Sequence, residues 1–123
     1  MGFFDKLLRK MPGGPISVAE TLLRAYRKYQ AENPQAGKKD AFRYVLETRY
    51  RIIKSMGSAE MESILEEANT LGHLTFLVVA HDNPVAAKPI FMKQTVLDLY
   101  GFFEKNAPEK LGGLDSLKKI VSV

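Results

Sequence analysis

Glu62, Glu66, Asn69 and His73 are spaced so that a continuous helix would carry all four within one narrow arc. Oxygen and nitrogen donors gathered on one arc are the raw material of a metal site. The register is poor for that purpose. Glu66 and His73 stand two turns apart rather than in the inward Glu-x-x-His register of di-iron bundles, and no second set of this kind occurs in the chain. Carboxylates in a first helical turn also complement the helix dipole, so the arc reads as a solvated face, and no metal or cofactor is expected. His73 and His81 would fall about 80° apart around a helix, which does not make a coordinating pair. His81 and Asp82 read instead as a helix-terminal pair, with the imidazole near the negative end.

Nucleophilic chemistry has little to draw on. The chain has no cysteine, which removes thiol nucleophiles, thiolate zinc sites and disulfides together and fits a reducing compartment. No serine stands in a nucleophile elbow or beside a placed histidine. The "LGGL" and "PGGP" stretches lack the strand-before, helix-after context of a phosphate loop. No catalytic residue is assigned, and the expectation is a non-enzyme.

Cations are more suggestive. Arg49 falls in the middle of an apolar helical stripe, between Phe42, Val45 and Leu46 on one side and Ile53 and Met56 on the other. A guanidinium there either snorkels past the apolar rim to water or meets a carboxylate, a wet cleft or a subunit interface, because a buried unpaired charge costs several kcal/mol. Arg43, Arg51 and Lys54 share another face of the same segment and are the anion-binding candidates, although Glu47 among them gives that face the look of a solvated surface with i,i+4 pairs. "RAYRKY" and "RYVLETRYR" mix basic and aromatic residues, as nucleic-acid binders do. Tyr26 and Tyr29, however, lie on the apolar side of their segment, where tyrosines serve the core and keep their hydroxyls near water.

The elements that must position these groups follow from the apolar periodicity and from the Gly and Pro punctuation. Ser17 and Glu20 have capping-box spacing, which predicts a helix starting there with Val18, Leu22, Ala25 and Tyr29 inward and Arg24, Arg27 and Lys28 outward. Asp40 is expected to cap the next helix, and Gly57 to end it in a left-handed conformation. Ser58 would then cap a helix antiparallel to it. That helix is expected to run from Met61 to Val79 and enter the centre of a bundle; the rival reading makes "HLTFLVVAH" a buried strand. Pro89 suits the first turn of a further helix with Met92, Thr95, Val96, Leu99, Phe102 and Phe103 inward, followed by a weak helical piece over 115–121.

At 123 residues, 46% apolar and 26% charged, the chain has the size and balance of one globular domain. The expected fold is all-α: a small single-domain helical bundle of about five helices, with residues 1–15 an N-terminal amphipathic helix and Gly/Pro hinge and 16–123 the bundle domain. Residues 1–56 hold 12 Lys and Arg against 5 Asp and Glu, while 57–123 hold 6 against 9. Such asymmetry suits an anionic partner, or an attraction between the two halves of the fold. No apolar stretch approaches the ~20 residues needed to span a bilayer, and neither a signal peptide nor a myristoylation pattern is read at the N-terminus.

The opening "MGFFDKLLRK" places Phe3, Phe4, Leu7, Leu8 and Met11 on one arc and Asp5, Lys6, Arg9 and Lys10 on the other. About ten residues make too short a helix to stand alone, so this segment must lie on its own bundle, a sister chain, a lipid surface or a separate partner. The functional expectation is a non-catalytic, cytoplasmic interaction or adaptor protein. It would contact a protein partner or a sister subunit, as in a homodimer, through Phe3, Phe4, Leu7 and Leu8, with Arg49 as the polar recognition group. The alternatives are a peripheral membrane-surface binder acting through residues 1–11, and a nucleic-acid-binding module.

Overall fold

The computed structural model describes residues 14–49, 56–108 and 117–119. Among the described residues it holds five α-helices and one 3-10 turn, and no strand. They are α1 (Pro15–Glu32), α2 (Lys38–Arg49), α3 (Ser58–Glu67), α4 (Leu71–Asp82), the 3-10 turn (Pro84–Ala87) and α5 (Pro89–Asn106). The fold is a small all-α domain. Its helices are not quite the expected set, because the opening segment lies outside the described residues and the single helix expected up to Val79 is two.

Helix starts follow backbone logic more than side-chain caps. α1 begins at Pro15, ahead of the Ser17 start, with Gly14 in the extended N-cap position and no side-chain cap bond. Proline supplies a preset φ and has no N–H to leave unsatisfied, so Ser17 falls inside the first turn, where its carbonyl accepts from Thr21 Oγ1 at 3.0 Å. α2 likewise starts at Lys38, its first turn closed by Ala41 N–H donating to the Gly37 carbonyl, and Asp40 sits within that turn. Gly57 is the extended N-cap of α3 (φ −89°, ψ 175°), not a left-handed C-terminal residue, and Ser58 is the first helical position. With no Cβ there, the Glu60 carboxylate folds back to within 2.6 Å of where one would stand, at the positive end of the helix.

The break that divides the fourth segment lies at Ala68–Thr70. Ala68 turns extended, and Thr70 caps α4 by accepting the His73 N–H at 3.2 Å. Such a cap is worth about 1 kcal/mol. Beyond it α4 is buried at eight of its twelve positions, from Leu71 through Val79. "HLTFLVVAH" is therefore a core helix and not a strand, with the Thr75 hydroxyl satisfied by the Leu71 carbonyl at 2.8 Å.

Around α4 the other helices close. α1 packs on α2, α4 and α5, and α4 also touches α3, α5 and the 3-10 turn. Leu22, Phe42, Val45, Leu46, Leu74, Val78, Leu99 and Phe103 form the centre, none more than 1% exposed; each large apolar side chain buried this way contributes about 1.5–3 kcal/mol. Tyr26 lies tilted on Phe42 with ring centroids 5.9 Å apart, and Tyr29 stacks on Tyr44 at 4.7 Å, so both tyrosines line the α1–α2 contact. Burial raises the Tyr26 hydroxyl pKa above its ordinary value.

Three polar contacts tie the basic front half to the rest. Lys38 Nζ donates to the Asn69 carbonyl just beyond α3 at 2.8 Å, and Arg43 in mid-α2 meets Glu62 in mid-α3, which requires α2 and α3 to run in opposite directions. Arg27 Nη2 donates to the Asn106 carbonyl at the end of α5 at 2.6 Å. In each case a cation serves a helix's negative end or a carboxylate of the back half, the intramolecular side of the charge asymmetry.

Candidate interaction surface

Of the residues singled out from the sequence, Phe3, Phe4, Leu7, Leu8, Arg51 and Lys54 lie outside the described residues, and Arg49 is described only as the last residue of the α2 backbone. Arg43 is engaged within the fold. Its Nη1 is 2.7 Å from Glu62 Oε1 and its Nη2 3.2 Å from Oε2, a two-pronged pair. The hydrogen bond with Glu62 raises the Arg43 pKa, and the same bond lowers that of Glu62. Glu62, Glu66 and His73 do not share a helix face, since the break at Ala68 separates α3 from α4, and Glu62 points to Arg43. Among the described residues no cluster of three His, Asp or Glu groups could hold a metal ion, and no helix is long and apolar enough to cross a membrane.

His73 is buried with an Nδ1 that has no hydrogen-bond partner. Desolvation lowers its pKa, opposed by the charge of Glu67, and its place in the first turn of α4 works in the same direction as burial. The unfolded chain therefore binds a proton where the folded one does not. Stability should be full above the ordinary histidine value of about 6.5 and should fall as the pH drops through it. Urea unfolding at about pH 7.5 and pH 5.5 should show wild type losing stability on acidification, and His73→Gln losing clearly less; equal losses would show that His73 does not drive the effect.

What sequence reasoning missed lies on α5. Its inner face is as expected, with Thr95, Val96, Leu99 and Phe103 buried and Met92 and Phe102 partly so. Outside that face the helix exposes further apolar residues: Ile90, 78% exposed, and Leu97, 49%, lie on the opposite side, and Phe91, 48%, on a flank about 100° from Ile90, while Val85 of the packed 3-10 turn is 46% exposed. Ile90, Gln94, Leu97 and Gly101 follow 4-3-4 spacing along one face, with Lys93 on one flank and Asp98 on the other. Gln94 Nε2 donates to Asp98 Oδ1 at 2.8 Å, holding that carboxylate at the edge of that face. Beside Leu97 a shallow, wholly apolar depression of about 90 Å³ is lined by Val96, Leu97, Tyr100 and Lys118. The seven-residue spacing of Ile90 and Leu97 was the available signal, hidden because the inner stripe already accounted for the helix.

The chain matches no known family model, no curated protein and no solved structure.

Proposed function

We propose that the protein is a non-catalytic interaction module of the cytoplasm, whose outward α5 face meets a protein surface and whose amphipathic opening segment, with Phe3, Phe4, Leu7 and Leu8, supplies a second contact. The observation that carries this is the exposed set Val85, Ile90, Phe91 and Leu97 on adjoining elements. Single exposed apolar residues are ordinary, and four on two elements that pack together are what supports a contact surface here. Several polar groups that could do chemistry have structural duties: Arg43 with Glu62, Arg27 at the end of α5, Lys38 at the end of α3. A photo-crosslinking amino acid at position 97 should yield a covalent protein adduct in cells, lost with Ile90→Lys, while the same probe at exposed position 28 of α1 yields none. No adduct from position 97 would defeat the reading.

A further inference from the structure

We infer that the cleft between α1 and α5 binds a small organic monoanion, a carboxylate carried on an apolar body. The inference goes beyond the interaction-module reading and does not rest on it, since none of Val85, Ile90, Phe91 and Leu97 lines this cleft. Glu20, Leu23, Arg24 and Arg27 stand at i, i+3, i+4 and i+7 on α1 and therefore share one side of that helix. α5 packs alongside and adds Phe102 and Asn106, one turn apart. Together the six bound a cleft of about 280 Å³, close to the lower end of small-ligand sites.

The floor is apolar and fixed. Leu23 is buried, and Phe102 is half-buried with its ring edge-on to the fully buried Phe103. The rim is cationic. Arg27 is held by its bond from Nη2 to the Asn106 carbonyl, which occupies one of the guanidinium N–H donors and leaves the others for a ligand. The Asn106 side chain is turned onto its own helix, donating to the Phe102 carbonyl at 2.8 Å. One turn before Arg27, Arg24 is exposed and has no ion pair or hydrogen bond among the described residues, so its planar fork can take both oxygens of a carboxylate.

Charge sets the class of ligand. Two guanidiniums against the Glu20 carboxylate leave the lining with a single surplus positive charge, which one anionic head matches and a dianion exceeds. The floor of Leu23 and Phe102 takes the apolar body out of water, which adds to a contact that an exposed arginine alone holds only weakly.

The test is amide chemical-shift mapping of the isotope-labelled full chain at low salt, with phenylbutyrate as the probe. A ligand of about twelve heavy atoms should bind in the low-millimolar range, with shifts concentrated at Leu23, Arg24, Arg27, Phe102 and Asn106. Arg24→Gln, its fold verified by an unchanged spectrum elsewhere, should weaken binding about fivefold or more. Lys28→Gln removes an exposed cation outside the cleft and should leave binding unchanged. Butyrate lacks the body, phenylbutanol lacks the charge and phenylsuccinate carries a second one, so each should bind several-fold more weakly. Shifts scattered over the surface or centred on Ile90 and Leu97, an Arg24→Gln affinity equal to wild type, an equal loss in Lys28→Gln, phenylbutanol binding as tightly as phenylbutyrate, or no saturable shift at all would each overturn the inference. The crosslink from position 97 tests the interaction module separately, so the failure of either is distinguishable from the failure of the other.

Discussion

Phe103→Ala is expected to lower the free energy of unfolding by about 3–5 kcal/mol, a large part of the roughly 5–15 kcal/mol that holds a domain of this kind together. Phe103 is fully buried on the inner face of α5 and sits edge-on to Phe102, ring centroids 5.1 Å apart at 89°. Removing the ring leaves a cavity that rigid helices fill only partly, and the edge-to-face contact goes with it. Urea unfolding followed by circular dichroism measures the loss, and an unchanged m-value would place it in the native state. Leu97→Ala on the opposite face of the same helix should stay within about 0.5 kcal/mol at concentrations where the chain is monomeric. If the two variants unfold alike, the assignment of inner and outer faces is wrong.

Leu117→Ala should cost about 2–5 kcal/mol, the range for a leucine deleted from a core, although it stands in a piece that reads as weakly helical. Its side chain is fully buried and belongs to the same apolar cluster as Leu22, Phe42 and Phe103, and the next residue, Lys118, lies 5.2 Å from the centre of the Tyr100 ring. A weakly helical piece tolerates change only when nothing ties it down, and this one is tied to the core. A destabilisation below about 1 kcal/mol in the same urea experiment would show that the Leu117 turn is not part of the cooperative unit.

The inner faces of α1 and α5 were legible because one apolar arc repeats over five turns in each, and burial at Val18, Leu22, Leu23, Thr95, Val96, Leu99 and Phe103 follows it. The boundaries were less so. Ser17 and Ser58 look like caps, yet Pro15 and Gly57 set the starts from the backbone side. The break at Ala68–Thr70 escaped because Leu65, Ala68 and Leu71 continue helical spacing across it, and the Thr70 cap that creates it is followed by no glutamate to advertise a capping box. Apolar periodicity reports which residues face inward, and a chain that interrupts its helix without losing that phase leaves no mark in the pattern.

The candidate surface was legible only in part. Arg43 stood out as a cation able to meet an anion, and the structure supplies one from its own chain, Glu62, a partner 19 residues away that local spacing does not reveal. Ile90 and Leu97 stood in plain view on the face opposite Leu99 and Phe103, but whether an apolar residue is covered depends on neighbours that the spacing along one helix does not name.

Leu74–Ala80 carries seven residues with neither charge, proline nor glycine, five of them buried among the surrounding helices. The same composition, released in extended form, is that of segments that stack into fibrils. Enclosure by α1 and α5 thus acts as a quarantine: variants that loosen the bundle should precipitate before they accumulate as dissolved unfolded chain, and the threshold for insolubility should track the stability of the packing around α4.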